Sequence, residues 1–255
     1  MKKYQLDMAV EAINRFKSGF IHLVLTLPDG AAMPPMLPGQ FVEVAVESAP
    51  VLLNRPISIY NRTDKTLELL VAPIGTATKA LGNYKPGDTL RVIGPLGNGY
   101  TTDFEAGSRV LLVGGGVGIA PLYYQLRVLL EKGVKAEVVY GMRTAPDKEV
   151  CERFEALAPL HVCTDDGSAG FHGLLTAHPI MAEKYDMVQV CGPKPMMKAC
   201  ARVASEAGMP AEVSLENHMA CGIGACLCCV EDTKEGNVCV CKNGPVFNIE
   251  KLKWL

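Results

Sequence analysis

An excess of positive charge is missing: 25 Lys and Arg stand against 27 Asp and Glu over 255 residues, a formal net charge of −2. A chain that tracks nucleic acid or lies on an anionic membrane replaces counterions with its own cations, so neither partner is expected. A long apolar run is also missing. The longest, over residues 110–122, carries glycines at 114, 115, 116 and 118 and falls short of the roughly 18 residues that suggest a membrane span. The opening MKKYQLDMAVEAI places Asp7 and Glu11 where a leader would have its apolar stretch, and a cytoplasmic location is expected. No internal repeat or low-complexity tract breaks the chain. The histidines at 161, 172, 178 and 218 show no metal spacing, and no serine or cysteine hydrolase arrangement is evident. Cysteine is too thin for a disulfide scaffold, since the ten present fall below the roughly 8–10% such chains need.

What is present is an ordinary globular composition, 49% hydrophobic and 20% charged, which can bury a core. At about 150 residues per domain the length suggests two domains with room for a small third. Residues 20–27, 41–46, 56–60, 66–71 and 89–93 form short strand-like runs separated by Asn-, Asp- and Gly-rich turns, the spacing of a barrel or sandwich. From residue 109 the pattern changes to a continuous apolar run, a Gly-rich loop, a helical stretch and another apolar run over 136–140. That is a β-loop-α-β unit with buried parallel strands. Further runs at 160–164 and 187–191 continue it into a doubly wound sheet. The expected fold is a β-barrel (residues 1–104), an α/β nucleotide-binding domain (105–212) and a C-terminal cysteine module (213–255).

The Gly-rich loop Gly114-Gly115-Gly116-Val117-Gly118-Ile119-Ala120-Pro121 lies between strand and helix. There glycine permits close backbone approach and the helix start offers free N–H groups to a pyrophosphate. Pro121 suits a first helical turn. Ile119 replaces the third glycine of the usual dinucleotide fingerprint, and the next strand ends on Gly141, Met142 and Arg143 rather than on an acid. A tight turn without ligand is the plain alternative. Arg55-Pro56-Ile57-Ser58 could hold a diphosphate and a flat heterocycle, or be a surface arginine before an edge strand. Strict alternation puts Arg55 and Ser58 on opposite faces. Gly75-Thr76 and residues 94–99 are turns whose meaning depends on that strand.

Six of the ten cysteines crowd into residues 221–241. Cys221-x4-Cys226-x2-Cys229 with a distant Cys241 repeats the plant-type ferredoxin spacing for a [2Fe–2S] centre. Cys228 and Cys239 are surplus to it. The rival is a zinc site of Cys226, Cys229, Cys239 and Cys241 in a binding module without redox activity. Cys191, in Cys191-Gly192-Pro193 at a strand end, is either a ligand-site residue or an ordinary buried thiol.

Taken in order, R55-P-I-S58, G75-T76, G94-P-L-G-N-G99, G114-G-G-V-G-I-A-P121, Y140-G-M-R143, T164-D-D-G-S168, C191-G-P193, the run from E216 to C229 and C241-K-N-G-P-V-F247 resemble the ferredoxin–NADP reductase superfamily. Within it they are most similar to electron-transfer subunits of NAD-linked dihydroorotate dehydrogenases. The resemblance covers nearly the whole chain. It implies FAD at Arg55, Pro56, Ile57, Ser58, Leu69, Leu70, Val71, Gly75 and Thr76. It implies NAD(H) at Gly114, Gly115, Gly116, Val117, Gly118 and Pro121 with Cys191, Gly192 and Pro193, and a [2Fe–2S] cluster on Cys221, Cys226, Cys229 and Cys241. Ile57 stands where many flavin reductases have tyrosine, and Cys228 where the subunit has glycine. The implied path runs between NADH, FAD, the cluster and a partner: a separate FMN-containing dihydroorotate dehydrogenase catalytic subunit, two of each chain together, in pyrimidine (UMP) biosynthesis. Small subunits of NADH-dependent ferredoxin–NADP oxidoreductases, sulfite reductases or hydrogenases are built from the same modules; Cys221 stands where the ferredoxin–NADP type has an aspartate. No catalytic base for a pyrimidine is evident, so that chemistry is expected on the partner. Ile223 and Leu227 are the expected contact.

Overall fold

The computed structural model describes residues 2–255. Six antiparallel strands, β1 (Tyr4–Arg15), β2 (Ile21–Thr26), β3 (Phe41–Ala45), β4 (Arg55–Arg62), β5 (Thr66–Val71) and β6 (Thr89–Leu96), close a barrel in the order β1-β2-β5-β4-β3-β6; a short helix, α1 (Thr76–Leu81), links β5 to β6. Alternation fills it: Met8 and Val10, Leu23 and Leu25, Val42 and Val44, Leu67 and Leu69 point inward and are buried. Each such side chain contributes about 1.5–3 kcal/mol relative to exposure. The neighbouring residues of β3, Phe41 and Glu43, therefore face out of the barrel.

The second layer system begins with β7 (Arg109–Gly115) and α2 (Ala120–Glu131). It continues through β8 (Lys135–Met142), α3 (Lys148–Glu155), β9 (Leu160–Thr164), β10 (Phe171–His172), β11 (Met187–Cys191), α4 (Lys194–Glu206) and β12 (Ala211–Ser214). The central strand β7 shows why the sequence reads as one apolar run. Val110 and Leu112 pack with α2 and α3 on one face, Leu111 and Val113 with α4 on the other. Helices on both faces demand apolar residues at both parities. The order β10-β9-β8-β7-β11-β12 runs outward in both directions from β7, so the chain changes direction between β7 and β11. Ligands bind at the carboxyl ends of strands at such a switch point.

The cysteine-rich segment leaves the sheet after Ser214 and makes a hairpin of β13 (Val230–Thr233) and β14 (Gly236–Cys239). A one-turn helix, α5 (Val240–Asn243), follows, and the chain returns as β15 (Val246–Asn248), antiparallel to β12. The N–H of Leu215 donates to the carbonyl of Pro245 at 2.9 Å, closing the neck of this excursion. Asn98, just past β6, pins it to the barrel: its Nδ2 donates to Val246 O at 2.8 Å and its Oδ1 accepts from Val246 N at 3.0 Å. The barrel also abuts α2, where Tyr60 stacks on Tyr123 with centroids 4.9 Å apart.

The strand runs expected from the sequence correspond to β2 to β9 and β11. β1 is an addition to those expectations. Its Leu6, Met8 and Val10 alternate with Asp7 and Ala9, but a bulge between Val10 and Ala12 breaks the phase. Among the described residues no helix is long and apolar enough to cross a membrane.

Candidate functional site

One cleft of about 510 Å³ lies where the barrel, the β7–α2 loop and the start of the cysteine segment meet. Arg55, Pro56, Ile57 and Ser58 all line it, despite the alternation that separates Arg55 from Ser58. The reason is the pairing of β4. Residues 55–58 pair with β3 on one side only, and pairing with β5 begins at Ile59. The other edge of the strand is therefore free at residues 55–58, and a ligand along that edge meets side chains of both parities and unpaired backbone groups. The Nε of Arg55 is buried and has no partner, which is the condition of a guanidinium awaiting an anion. Leu70, Val71, Gly75 and Thr76 also line the cleft. Leu69 does not; it is wholly buried inside the barrel. These donors and the size of the cleft fit a dinucleotide with a flat ring, such as FAD.

The Gly-rich loop and the Cys191-Gly192-Pro193 turn pack onto each other at the switch point, at the ends of the paired strands β7 and β11. A Cβ on Gly118 would come within 2.5 Å of the Cys191 carbonyl oxygen; one on Gly115 would come within 2.2 Å of Met196 Sδ. A side chain is thus excluded from Gly118, where the obstacle is backbone, and at Gly115 would displace the Met196 thioether, while Gly116 takes a φ of +57° with open space beside it. Gly114 is closed by Ile119, which explains why that position of the fingerprint is not glycine: its side chain fills the turn. Pro121 occupies the first turn of α2. Val117 reaches the cleft, so the nucleotide loop and the Arg55 strand share one space.

Cys191 is buried beside Glu216 and Ser214. Its thiol donates to Glu216 Oε1 at 3.9 Å, and burial, reinforced by the Glu216 charge, pushes its pKa well up. It is a neutral thiol, not a nucleophile. Glu216 opens into the cleft, and desolvation by the surrounding protein raises its carboxyl above the usual range. Sequence reasoning missed Glu216 together with Phe41, Val51, Ile74 and Pro245, all cleft-lining. They come from separate elements, and no local spacing connects them.

Five residues beyond Glu216 the chain reaches Cys221 and the cysteine loop. Cys229 and Cys241 are buried, Cys221 is half-buried, and Cys226 and Cys228 are exposed. Two of the expected ligands are joined through a backbone amide, Cys226 N donating to Cys221 Sγ at 3.4 Å. Further backbone N–H groups converge on the ligand sulfurs. Ala225 N donates to Cys221 Sγ at 3.3 Å, Gly224 N to Cys241 Sγ at 3.1 Å, and Cys241 N to Cys229 Sγ at 3.4 Å. Donors from Ile223 and the residues after it hold the Cys221 thiol down at about 6. The loop achieves this with positive φ at Gly222, Gly224 and Leu227. Four cysteines gathered by one loop and the one-turn helix after it, with amide donors to the sulfurs of Cys221, Cys229 and Cys241, fit a two-iron cluster, which takes two cysteines on each iron. Among the described residues no three His, Cys, Asp or Glu side chains converge as ligands of a single ion.

Glu43 stands behind this loop. It is 2% exposed, and neither of its carboxylate oxygens has a hydrogen-bond partner. Burial, offset in part by Arg55 and increased by Cys221, lifts its pKa to about 7.

A closed barrel joined to a doubly wound sheet, with this cleft between them and a cysteine-rich loop at its rim, defines an oxidoreductase of the two-domain flavin and nicotinamide reductase type. Residues 216–253 match the family model described as the iron-sulfur cluster binding domain of dihydroorotate dehydrogenase B, and residues 112–202 match the oxidoreductase NAD-binding domain. The electron transfer subunit of dihydroorotate dehydrogenase B (NAD(+)) from Listeria monocytogenes is 37% identical over 257 residues, covering 98% of this chain and 99% of its own. That of Bacillus caldolyticus is 40% identical over 231 residues, 88% and 89% of the two chains. The chain belongs to the family of dihydroorotate dehydrogenase B (NAD(+)) electron transfer subunits. It is also similar to a solved structure of an NADH-dependent reduced ferredoxin-NADP oxidoreductase, with TM-score 0.83 and 32% identity over 98% of this chain and 90% of that one. A flavohaem-like FAD/NAD binding domain of a nitric oxide dioxygenase from Vibrio cholerae, 21% identical with TM-score 0.68 over 80% of this chain and 94% of that one, shares the fold.

Proposed function

We propose that the protein carries electrons between NAD(H) and a separate FMN-containing dihydroorotate dehydrogenase catalytic subunit, by way of FAD and a [2Fe–2S] cluster, in cytoplasmic pyrimidine (UMP) biosynthesis. The observation that carries this reading is the continuity of the cleft. Arg55, the Val117 loop and Glu216 line one space, and Glu216 is followed within a few residues by Cys221. When bound, a flavin exchanges two electrons with a nicotinamide and single electrons with an iron–sulfur centre.

The chain's own residues bind and orient. Arg55 offers its fork to a diphosphate, and the free edge of β4 offers backbone groups to a ring. Gly115 and Gly118 hold the nucleotide loop against Cys191, Gly192 and Pro193, beside the cleft. Cys221, Cys226, Cys229 and Cys241 hold the cluster, and the amides of residues 223–226 donate to its thiolates. Residues 1–104 thus serve FAD, 105–212 the nicotinamide nucleotide and 213–255 the cluster. The match to the curated subunits supports a catalytic partner, and an assembly of two of each chain follows from the same reading. Dehydrogenating a pyrimidine ring needs a base and a flavin at one pocket, a chemistry this reading assigns to the partner.

The test is an assay of the purified chain. It should pass electrons from NADH to an artificial dye and leave dihydroorotate untouched until the catalytic subunit is added. Dihydroorotate oxidation by the single chain would overturn the division of labour. Strong preference for NADPH with ferredoxin as acceptor would move the protein to the ferredoxin–NADP type.

A further inference from the structure

We propose that Glu43 is a positioning residue for charge at the iron–sulfur centre: its buried carboxylate, on the barrel wall behind the cysteine loop, lowers the centre's reduction potential. The proposal rests on the reading of Cys221, Cys226, Cys229 and Cys241 as the ligands. Val42 and Val44 fill the barrel, so Glu43 faces outward, and the cysteine loop covers it. A Cβ on Gly222, next to Cys221, would lie 2.9 Å from Glu43 Cγ and 3.1 Å from its Oε1. The strands on either side present Pro56 and Ile93 opposite Glu43, and neither can donate a side-chain hydrogen bond. The charged or titratable groups acting on it are Arg55, from the flavin cleft, and Cys221.

Burying a carboxylate without donors is costly, and most proteins avoid it. With no hydrogen bond and little solvent to screen it, its field acts on whatever lies across the loop. A negative charge there opposes the arrival of an electron, and a centre next to it accepts electrons only from a stronger donor. Arg55, which lines the flavin cleft, is the opposing charge acting on that carboxylate.

The test is a redox titration of the full chain loaded with FAD and cluster. It is run at pH 9 and followed by the EPR signal of the reduced centre, in wild type, Glu43→Gln and Glu43→Asp. The glutamine variant should shift the reduction equilibrium about tenfold toward the reduced centre, about 59 mV for a one-electron couple, with the line shape and FAD content unchanged. The aspartate variant should stay near wild type. Equal potentials in wild type and Glu43→Gln overturn the proposal, as does an aspartate variant that shifts as far as glutamine. A glutamine variant that keeps FAD but cannot hold the centre also overturns it, because Glu43 would then be a prop for the loop. Wild type lacking iron and sulfide would instead refute the ligand reading itself.

Discussion

Arg153 on α3 and Glu68 on β5 form an ion pair of 2.8 Å that ties the nucleotide-binding sheet to the barrel. The guanidinium also lies over the rings of Tyr60 and Tyr123, at 4.9 and 4.6 Å. Burial alone would raise the Glu68 carboxyl, but hydrogen bonds from His22, Arg153 and Asn61 bring it down to about 2, against an ordinary 4.5. A depressed carboxyl stabilises the fold above its unfolded value and loses that contribution as pH falls through its folded value. Stability should therefore decline between about pH 4.5 and 2, and Glu68→Gln should show less of this decline when both proteins are unfolded in urea across that window. Arg153→Ala should cost about 1–3 kcal/mol at neutral pH, because it takes the cation from a buried carboxylate that keeps only His22 and Asn61.

Cys226→Ala and Cys229→Ala should each abolish the visible and EPR signals of the cluster, with iron and sulfide lost together. Cys228→Ala should retain them, since Cys228 lies outside the Cys221-x4-Cys226-x2-Cys229 spacing of a plant-type centre. Loss of iron in Cys228→Ala would show that the ligand set is misassigned.

Gly118→Ala should weaken nucleotide binding without emptying the flavin site. The added carbon would press within 2.5 Å of the Cys191 carbonyl oxygen, a backbone atom that cannot swing away. Displacing the loop costs about 1–3 kcal/mol, so the KM for NADH should rise about tenfold while bound FAD stays at wild-type level. Steady-state dye reduction and flavin content measure the two separately.

Arg55→Ala should lower FAD content after gel filtration, and Arg55→Lys should recover it only partly, since an ammonium cannot make the paired contacts of a guanidinium. Fluorescence of flavin released by denaturation reads the result. Full FAD retention in the alanine variant would remove Arg55 from the site.

Leu227 is 64% exposed and Ile223 48% exposed on the cysteine loop, where an acceptor must approach. Leu227 also holds a φ of +58°, a conformation aspartate tolerates better than leucine. Leu227→Asp should therefore keep the loop and its cluster while losing the catalytic subunit in a pull-down. Undiminished capture would place the contact elsewhere.

Much of this was legible because it is local. The spacing of Cys221, Cys226 and Cys229 lies within one loop, and the glycines at 114–118 lie within one strand-to-helix turn, so periodicity and spacing carry them. The cleft is not local. Phe41, Val51, Ile74 and Glu216 come together only through strand order, and Glu43 becomes a neighbour of Gly222, 179 positions later in the chain, only once the cysteine loop has folded back on the barrel. Even the free edge of β4, which reconciles Arg55 with Ser58, depends on where β5 begins to pair. Alternation along one strand cannot reveal what its neighbour leaves uncovered.

The closed neck at Leu215 and Pro245 bears on how this architecture can be recombined. The cysteine segment begins and ends at the same edge of the nucleotide sheet, and its last strand lies against β12. A chimera that exchanges iron–sulfur segments between reductases at a single crossover near residue 214 would trade away the sheet's outermost strand along with the cysteines. Two crossovers, one at each side of the neck, would leave β15 and the Asn98 anchor with their parent. Inheritance of the segment as a loop rather than as a tail would keep its distance from the flavin cleft constant while the surface offered to a partner diverged.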